Sequence, residues 1–118
     1  KTFKDVEPDR GQYDFVREVA WTTFGGVYIR RQVLDQVGVF DPDYEWSYNR
    51  DVDYCLKARE KGWKIYQVPT SLYHFETKDV KRIRTKSNVE AETRNLATLI
   101  SKWKGSEFYR TLDMRVND

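Results

Sequence analysis

The stretch from Gly38 to Pro69, GVFDPDYEWSYNRDVDYCLKAREKGWKIYQVP, decides the fold of this 118-residue chain. It opens with a Gly-Val-Phe-Asp turn and an acidic, aromatic loop, and a helix is predicted after the loop. In that helix apolar side chains recur at i, i+4, i+7 and i+8, which places them on one face towards a core. They are Tyr48, Val52, Cys55 and Leu56, and the long side chain of Arg59 closes the stripe.

Both ends of this helix carry sequence signals. Ser47 and Asn49 are candidate N-caps, which puts Asp51 in or beside the first turn, where unpaired amides and the helix dipole favour a carboxylate. Gly62 fits a left-handed C-cap. Residues 63–68 alternate in character and predict a short strand. We therefore expect an acidic side chain at the mouth of a loop, held on a rigid base.

Two more helices are predicted on either side of this stretch. One spans Arg31–Val37, with Leu34 and Val37 inward and Gly38 at its end. The other spans Ser87–Lys104, with Ser87 as N-cap and a capping box that Glu90 completes. Its expected inward residues are Val89, Thr93, Leu96, Leu99, Ile100 and Trp103.

Three motifs in order resemble the C-terminal half of family 2 glycosyltransferases. The first is Arg-Arg-x-x-hydrophobic-x-x-hydrophobic-Gly-x-Phe-Asp, ending at Asp41. The second, from Asp51 to Pro69, is Asp-Val-Asp-Tyr-Cys-Leu-x-Ala-Arg-x-x-Gly-Trp-x-Ile-Tyr-x-Val-Pro, and the third is the Leu-Tyr-His that ends at His74. The resemblance covers residues 11–74 and extends loosely to Arg94, Asn95 and Trp103.

This resemblance implies a fold and an activity. The fold would be an α/β domain, part of a GT-A (Rossmann-like) glycosyltransferase fold with a short mixed sheet and flanking helices, and residues 1–118 would form one domain. The activity would be inverting transfer of a sugar from a nucleotide-sugar donor to a saccharide acceptor. The donor-binding half of such enzymes is absent from residues 1–118, so we expect the chain alone to be catalytically poor. A non-catalytic carbohydrate-binding or scaffold remnant of the same fold is the alternative.

Asp51 is the candidate catalytic residue. Inverting transfer needs a base that takes the proton of the acceptor hydroxyl, and a carboxylate within hydrogen-bond reach serves. In the resembling family this base is the Asp of a Glu-Asp pair at the start of the helix, and Arg50 stands where the Glu is expected. Either this chain belongs to a subgroup of such enzymes that uses the aspartate alone, here Asp51, or its catalytic activity has been lost. Helix capping alone is the structural alternative.

The candidate substrate-binding residues lie in two segments. Trp46 and Tyr44, with Glu45 and the neighbouring Arg50, are expected to shape the acceptor pocket, although packing that anchors the loop explains the two aromatic residues equally well. The second segment is the Gly25-Gly26 pair, within a strand predicted over Val19–Arg30. A glycine pair in a strand marks a bulge or the close approach of a backbone or a ligand. In the resembling enzymes this segment lines the cleft.

His74, the sole histidine, is either a hydrogen-bonded structural residue or a metal ligand. The resemblance implies that it completes the coordination of Mn²⁺ or Mg²⁺ on the donor diphosphate, and imidazole suits Mn²⁺ better. The Asp51 and Asp53 pair does not suit one ion, because residues i and i+2 of a helix point about 200° apart. Asp41, beside a proline, is expected to accept backbone amides.

Composition limits the classes of partner. Charged residues make up 34% of the chain, but the net charge is only +2, so no overall field indicates nucleic acid or a membrane surface. The basic segment 78–86 is expected to be a solvated face, with nucleic-acid binding as a minor alternative. Cys55, the single cysteine, is expected to be buried. No apolar run approaches the roughly 18 residues of a membrane span, and we expect a cytoplasmic protein, with peripheral membrane association left open.

Overall fold

The computed structural model describes residues 10–11, 14–45, 48–72 and 86–112. Within these ranges the chain forms four helices and a sheet of two strands, which confirms the α/β class. In chain order the elements are β1 (Arg17–Val19), α1 (Arg31–Val37), α2 (Arg50–Glu60), β2 (Ile65–Gln67), α3 (Lys86–Trp103) and α4 (Glu107–Arg110).

The sheet is an antiparallel pair. Its partners are Arg17 and Gln67, Glu18 and Tyr66, and Val19 and Ile65. Side chains reinforce this register, since Arg17 Nε donates to Gln67 Oε1 at 3.1 Å and Lys64 Nζ lies 3.2 Å from Glu18 Oε2. The sheet therefore differs from the expected mixed one: no parallel pair occurs in the ranges described above. β2 lies within the strand predicted after Gly62.

The strand predicted over Val19–Arg30 is wrong beyond its first residue. β1 ends at Val19, and the Gly25-Gly26 pair lies in a turn of a segment that has no strand pairing. Of its apolar residues, Phe24 packs against Tyr54 of α2, whereas Val27 and Tyr28 are exposed.

The helix α2 begins and ends where the sequence predicts. Asn49 takes the N-cap position, but its backbone is left-handed, with φ 63°, and its side chain makes no capping hydrogen bond. At the other end Gly62 has φ 84°, its N–H donates to Arg59 O at 2.9 Å, and Trp63 N–H donates to Ala58 O at 3.0 Å. This pair of bonds is a Schellman motif, which confirms the role predicted for Gly62.

The helix α2 is buried on two sides, and so more widely than the single predicted stripe. One side joins a core cluster of Tyr44, Val52, Leu56, Leu99 and Trp103. The other side places Tyr54 edge-on against Phe24 and Phe40, with ring centroids 5.6 and 5.5 Å away. Cys55 is buried as predicted. This makes α2 the central element of the described structure.

The helices α1 and α3 have the predicted lengths within one residue but bury different side chains. In α1, Leu34 is 41% exposed, so its predicted inward position is wrong, while Val33 and Val37 are half-buried. In α3 the buried residues are Ala91, Asn95, Leu99 and Trp103. Val89, Leu96 and Ile100 are exposed instead. Because α3 starts at Lys86, Ser87 lies inside the helix and does not cap it.

Candidate functional site

Asp51 is the second residue of α2, and its carboxylate is half-buried. Its Oδ1 accepts the N–H of Val52 at 2.9 Å. Burial raises the pKa of Asp51 above the usual 3.8, and the backbone amides of Val52, Asp51 and Phe24 offset this only in part. Within the described residues no cation pairs with it. A desolvated carboxylate with a raised pKa is a better proton acceptor than a surface aspartate.

Arg50 turns away from Asp51 and binds the loop before the helix. Its Nε and Nη2 donate to the carbonyl oxygen of Tyr44 at 3.1 and 2.5 Å. The residue that stands where the resembling family has a glutamate thus fastens the loop to the first turn of α2. Its contacts are structural, and it does not neutralise the candidate base.

Tyr44 is a core residue, which corrects the expectation that its ring is available to a sugar. It is fully buried in the core cluster, and its hydroxyl donates to Asp53 Oδ1 at 3.1 Å. A buried tyrosine of this kind packs an apolar ring and needs one partner for its hydroxyl, and Asp53 supplies it. For Tyr44 the structure shows the loop-anchoring alternative.

Glu45 is held by two residues of α3. Arg94 donates to its two carboxylate oxygens at 2.8 and 2.9 Å, and these hydrogen bonds lower the pKa of Glu45. Asn95, which is buried, accepts the N–H of Glu45 at 2.9 Å and donates to the carbonyl of Tyr48 at 3.0 Å. The loop that was expected to contact an acceptor is therefore clamped to α3.

Asp53 is the centre of a buried network that sequence reasoning did not find. Besides Tyr44, its Oδ1 accepts from Trp103 Nε1 at 2.8 Å and Lys102 Nζ at 2.9 Å, and Lys57 Nζ lies 3.3 Å from its Oδ2. Only 1% of Asp53 is exposed. A carboxylate at i, i+4 spacing from a lysine was the one available signal, and it does not predict burial.

Asp41 and Asp53 are both paired with Lys102. Asp53 faces α3 while Asp51 lies beside Phe24, which confirms that the two carboxylates point apart. Asp41 accepts the N–H of Asp43 at 3.0 Å, as predicted, and its other oxygen accepts from Lys102 Nζ at 2.7 Å. Among the residues that the structure describes, no group of three or more His, Cys, Asp or Glu could hold a metal ion.

A groove of 1080 Å³ separates the 22–30 segment from α2 and β2. Its aromatic lining consists of Phe24, Tyr28, Tyr54, Trp63 and Tyr66. Trp63 is fixed in place because its Nε1 donates to Gln36 Oε1 at 2.9 Å. Asp51 does not line this groove. Phe24 does line it, and the backbone of Phe24 lies beside the Asp51 carboxylate. The candidate base thus lies next to the groove wall and outside the lining.

Gly26 belongs to the groove lining, whereas Gly25 does not. A Cβ placed on Gly26 would lie 2.0 Å from Leu72 Cδ1, and one placed on Gly25 would meet nothing within 4 Å. The glycine pair was expected to mark either a bulge or a close approach. At Gly26 the structure shows a close approach, by the side chain of Leu72.

Trp46 and His74 lie outside the described residues, as does most of the basic segment 78–86. The roles expected for Trp46 in the acceptor pocket and for His74 at a metal ion therefore stay predictions. Across the described ranges, no helix has the length and apolar character needed to cross a membrane.

Comparison of the chain with protein-family models, with curated proteins and with solved structures found no match in any of the three.

Proposed function

We propose that the chain is the acceptor-side part of an inverting glycosyltransferase of the GT-A fold, with Asp51 as general base. The observation that carries the proposal is the state of Asp51: half-buried, raised in pKa, and beside Phe24 in the wall of an aromatic groove. The groove volume of 1080 Å³ slightly exceeds the roughly 300–1,000 Å³ that is typical of ligand sites.

The proposed reaction has one covalent step. The acceptor hydroxyl gives its proton to a carboxylate oxygen of Asp51 while its oxygen forms a bond to the anomeric carbon of the donor sugar. The bond from that carbon to the nucleoside diphosphate breaks, and the diphosphate leaves with the electron pair. Asp51 then returns the proton to solvent. Attack opposite the leaving group inverts the anomeric configuration.

In this proposal the neighbours of Asp51 hold the loop in place and take no part in the chemical step. Arg50 and the buried Tyr44 hold the loop that leads into α2, and Glu45 is held through Arg94. The proposal also includes Mn²⁺ or Mg²⁺ on the donor diphosphate, with His74 as a ligand. The described residues offer no metal site of their own, so no step is assigned to the ion.

The test uses the whole polypeptide that carries residues 1–118. Transfer from labelled UDP-, GDP- and dTDP-sugars to a panel of oligosaccharides is measured for the unchanged protein and for Asp51→Asn. A lost general base lowers turnover by about 10²–10⁴-fold. Asp43→Asn, which removes an exposed carboxylate of the neighbouring loop, is the control and should keep full activity. If the unchanged protein and the Asp51→Asn variant transfer the sugar at the same rate, the proposal is refuted.

A non-catalytic carbohydrate-binding module is the second candidate. Two observations favour it: Arg50 is used structurally where a glutamate is expected, and Asp51 lies outside the groove lining. It predicts oligosaccharide binding with neither transfer nor hydrolysis of any sugar nucleotide. Saturable binding with no turnover, in a protein whose Asp51→Asn variant binds equally well, would select the module over the enzyme.

A further inference from the structure

The groove has a one-sided charge. Arg30 and Lys64 are among its lining residues, and none of the lining residues that the structure describes is Asp or Glu. Lys64 is compensated by Glu18 at 3.2 Å. Arg30 is exposed and makes no ion pair within the described part of the chain. The groove therefore presents one uncompensated guanidinium to a ligand.

Aromatic side chains are open to solvent on the same groove. Tyr28 is 89% exposed and Tyr66 is 52% exposed, and both contribute to the lining. Exposed apolar residues gathered in one concave surface mark binding sites, and tyrosine offers an apolar face with a polar edge. Sugar rings present a complementary surface, with C–H groups on their faces and hydroxyls on their edges.

We propose that this groove binds a saccharide carrying an anionic group, a carboxylate or a phosphate, which Arg30 pairs while Tyr28 and Tyr66 pack against the sugar rings. The planar guanidinium matches either oxyanion with two parallel hydrogen bonds. The inference rests on the proposed function, because it names the class of acceptor that would present a hydroxyl to Asp51. Binding itself is independent of any donor and is measured without one.

The experiment measures binding by calorimetry with two matched probe pairs. Tetragalacturonate is compared with its fully methyl-esterified form, which keeps the rings and removes the charge, and glucose 1-phosphate is compared with glucose. In at least one pair, the anionic probe should bind at least tenfold more tightly than the neutral probe. The pair that shows this difference identifies the carboxylate or the phosphate as the group recognised.

Variants assign the charge to one residue. Arg30→Gln should weaken binding of the anionic probe by about tenfold or more and leave the neutral probe unchanged. Arg31→Gln is the matched control: it removes the same charge one residue away, from a side chain that is 83% exposed, pairs with Asp35 and does not line the groove. Tyr28→Ala should weaken both probes of a pair, and the exposure of Tyr28 keeps the fold intact.

Several results would overturn the inference. The neutral probes could bind as tightly as the anionic ones, or Arg31→Gln could cost as much as Arg30→Gln, which would indicate a general charge effect. Binding unaffected by Tyr28→Ala would remove the aromatic contact. Asp51→Asn separates this inference from the proposed function. If the variant loses sugar transfer but still binds the anionic probe more tightly than the neutral one, both proposals are supported. If transfer depends on Asp51 but the protein binds the anionic and neutral probes equally well, only this inference is overturned.

Discussion

Trp103 Nε1 donates to Asp53 Oδ1 at 2.8 Å, and this bond joins the last residue of α3 to the first turn of α2 across 50 residues of sequence. Tyr44 and Lys102 donate to the same oxygen, so the loop before α2 meets both helices at one atom. A buried carboxylate is tolerated only when it is paired and hydrogen-bonded in this way. Asp53 therefore organises the core.

Asp53→Asn should destabilise the fold strongly. The substitution puts a neutral amide beside Lys57 and weakens the bonds at Oδ1, while Lys102 keeps Asp41, and a hydrogen bond to a charged group contributes about 1.5–3 kcal/mol. Urea unfolding measures the loss. Asp35→Asn is the control, because its exposed i, i+4 pair with Arg31 contributes only about 0.3–0.5 kcal/mol. A loss below about 1 kcal/mol at Asp53 would contradict the network.

Asn95→Ala should release the loop before α2 from α3. The change removes the part-buried hydrogen bonds that the side chain of Asn95 makes with the Glu45 amide and the Tyr48 carbonyl, each of which contributes about 0.5–1.5 kcal/mol. Hydrogen exchange should speed up at the Glu45 amide in particular. Thr98→Ala on the same helix removes only a hydroxyl bonded to Arg94 O, and exchange at Glu45 should stay slow. Unchanged exchange in Asn95→Ala would show that the clamp is absent.

Asp51→Asn should stabilise the protein in a pH-dependent way. Burial raises the native pKa of Asp51 above 3.8, so the ionised form costs folding free energy at pH 7. Below 3.8 the carboxyl is protonated in both states and the cost is gone. The thermal midpoint of the variant should thus exceed that of the parent at pH 7, with the gap shrinking as pH falls through the native pKa. A gap that persists at pH 3 would refute this account.

Gly62→Ala should weaken the end of α2. Gly62 has φ 84°, and the left-handed region costs a residue with a Cβ about 1–2 kcal/mol. Gly105→Ala is the matched control, since Gly105 also follows a helix but has no positive φ and an added Cβ there meets nothing within 4 Å. Chemical denaturation of the two variants compares them directly, and equal stability would contradict the role of the Schellman motif.

The helices α1, α2 and α3 were predictable because their signals are local. Periodic apolar residues and the glycines at positions 38 and 62 set the ends of α1 and α2, and α3 was displaced by only one residue at each end. The buried face of α3 was not predictable. Apolar residues lie on two adjacent faces of α3, and either face could have packed on the core. The hydrogen bonds from Asn95 to the loop at Glu45 turn the face that carries Asn95 inward. The strand prediction over Val19–Arg30 failed for a related reason. A strand needs a partner strand to pair with, and the periodicity of one segment does not identify that partner.

The order of residues alone dictated where α1, α2 and α3 lie and that Asp51 falls in the first turn of α2, since spacing and capping act over a few neighbouring positions. Tertiary contacts decided which polar side chains became buried: Asp53 Oδ1 and the Asn95 amide are hydrogen-bonded to residues about 50 positions away, and the Tyr44 hydroxyl donates to Asp53 within the core. Such partners meet only once the chain has folded, because a buried polar group is stable only when distant donors and acceptors reach it together.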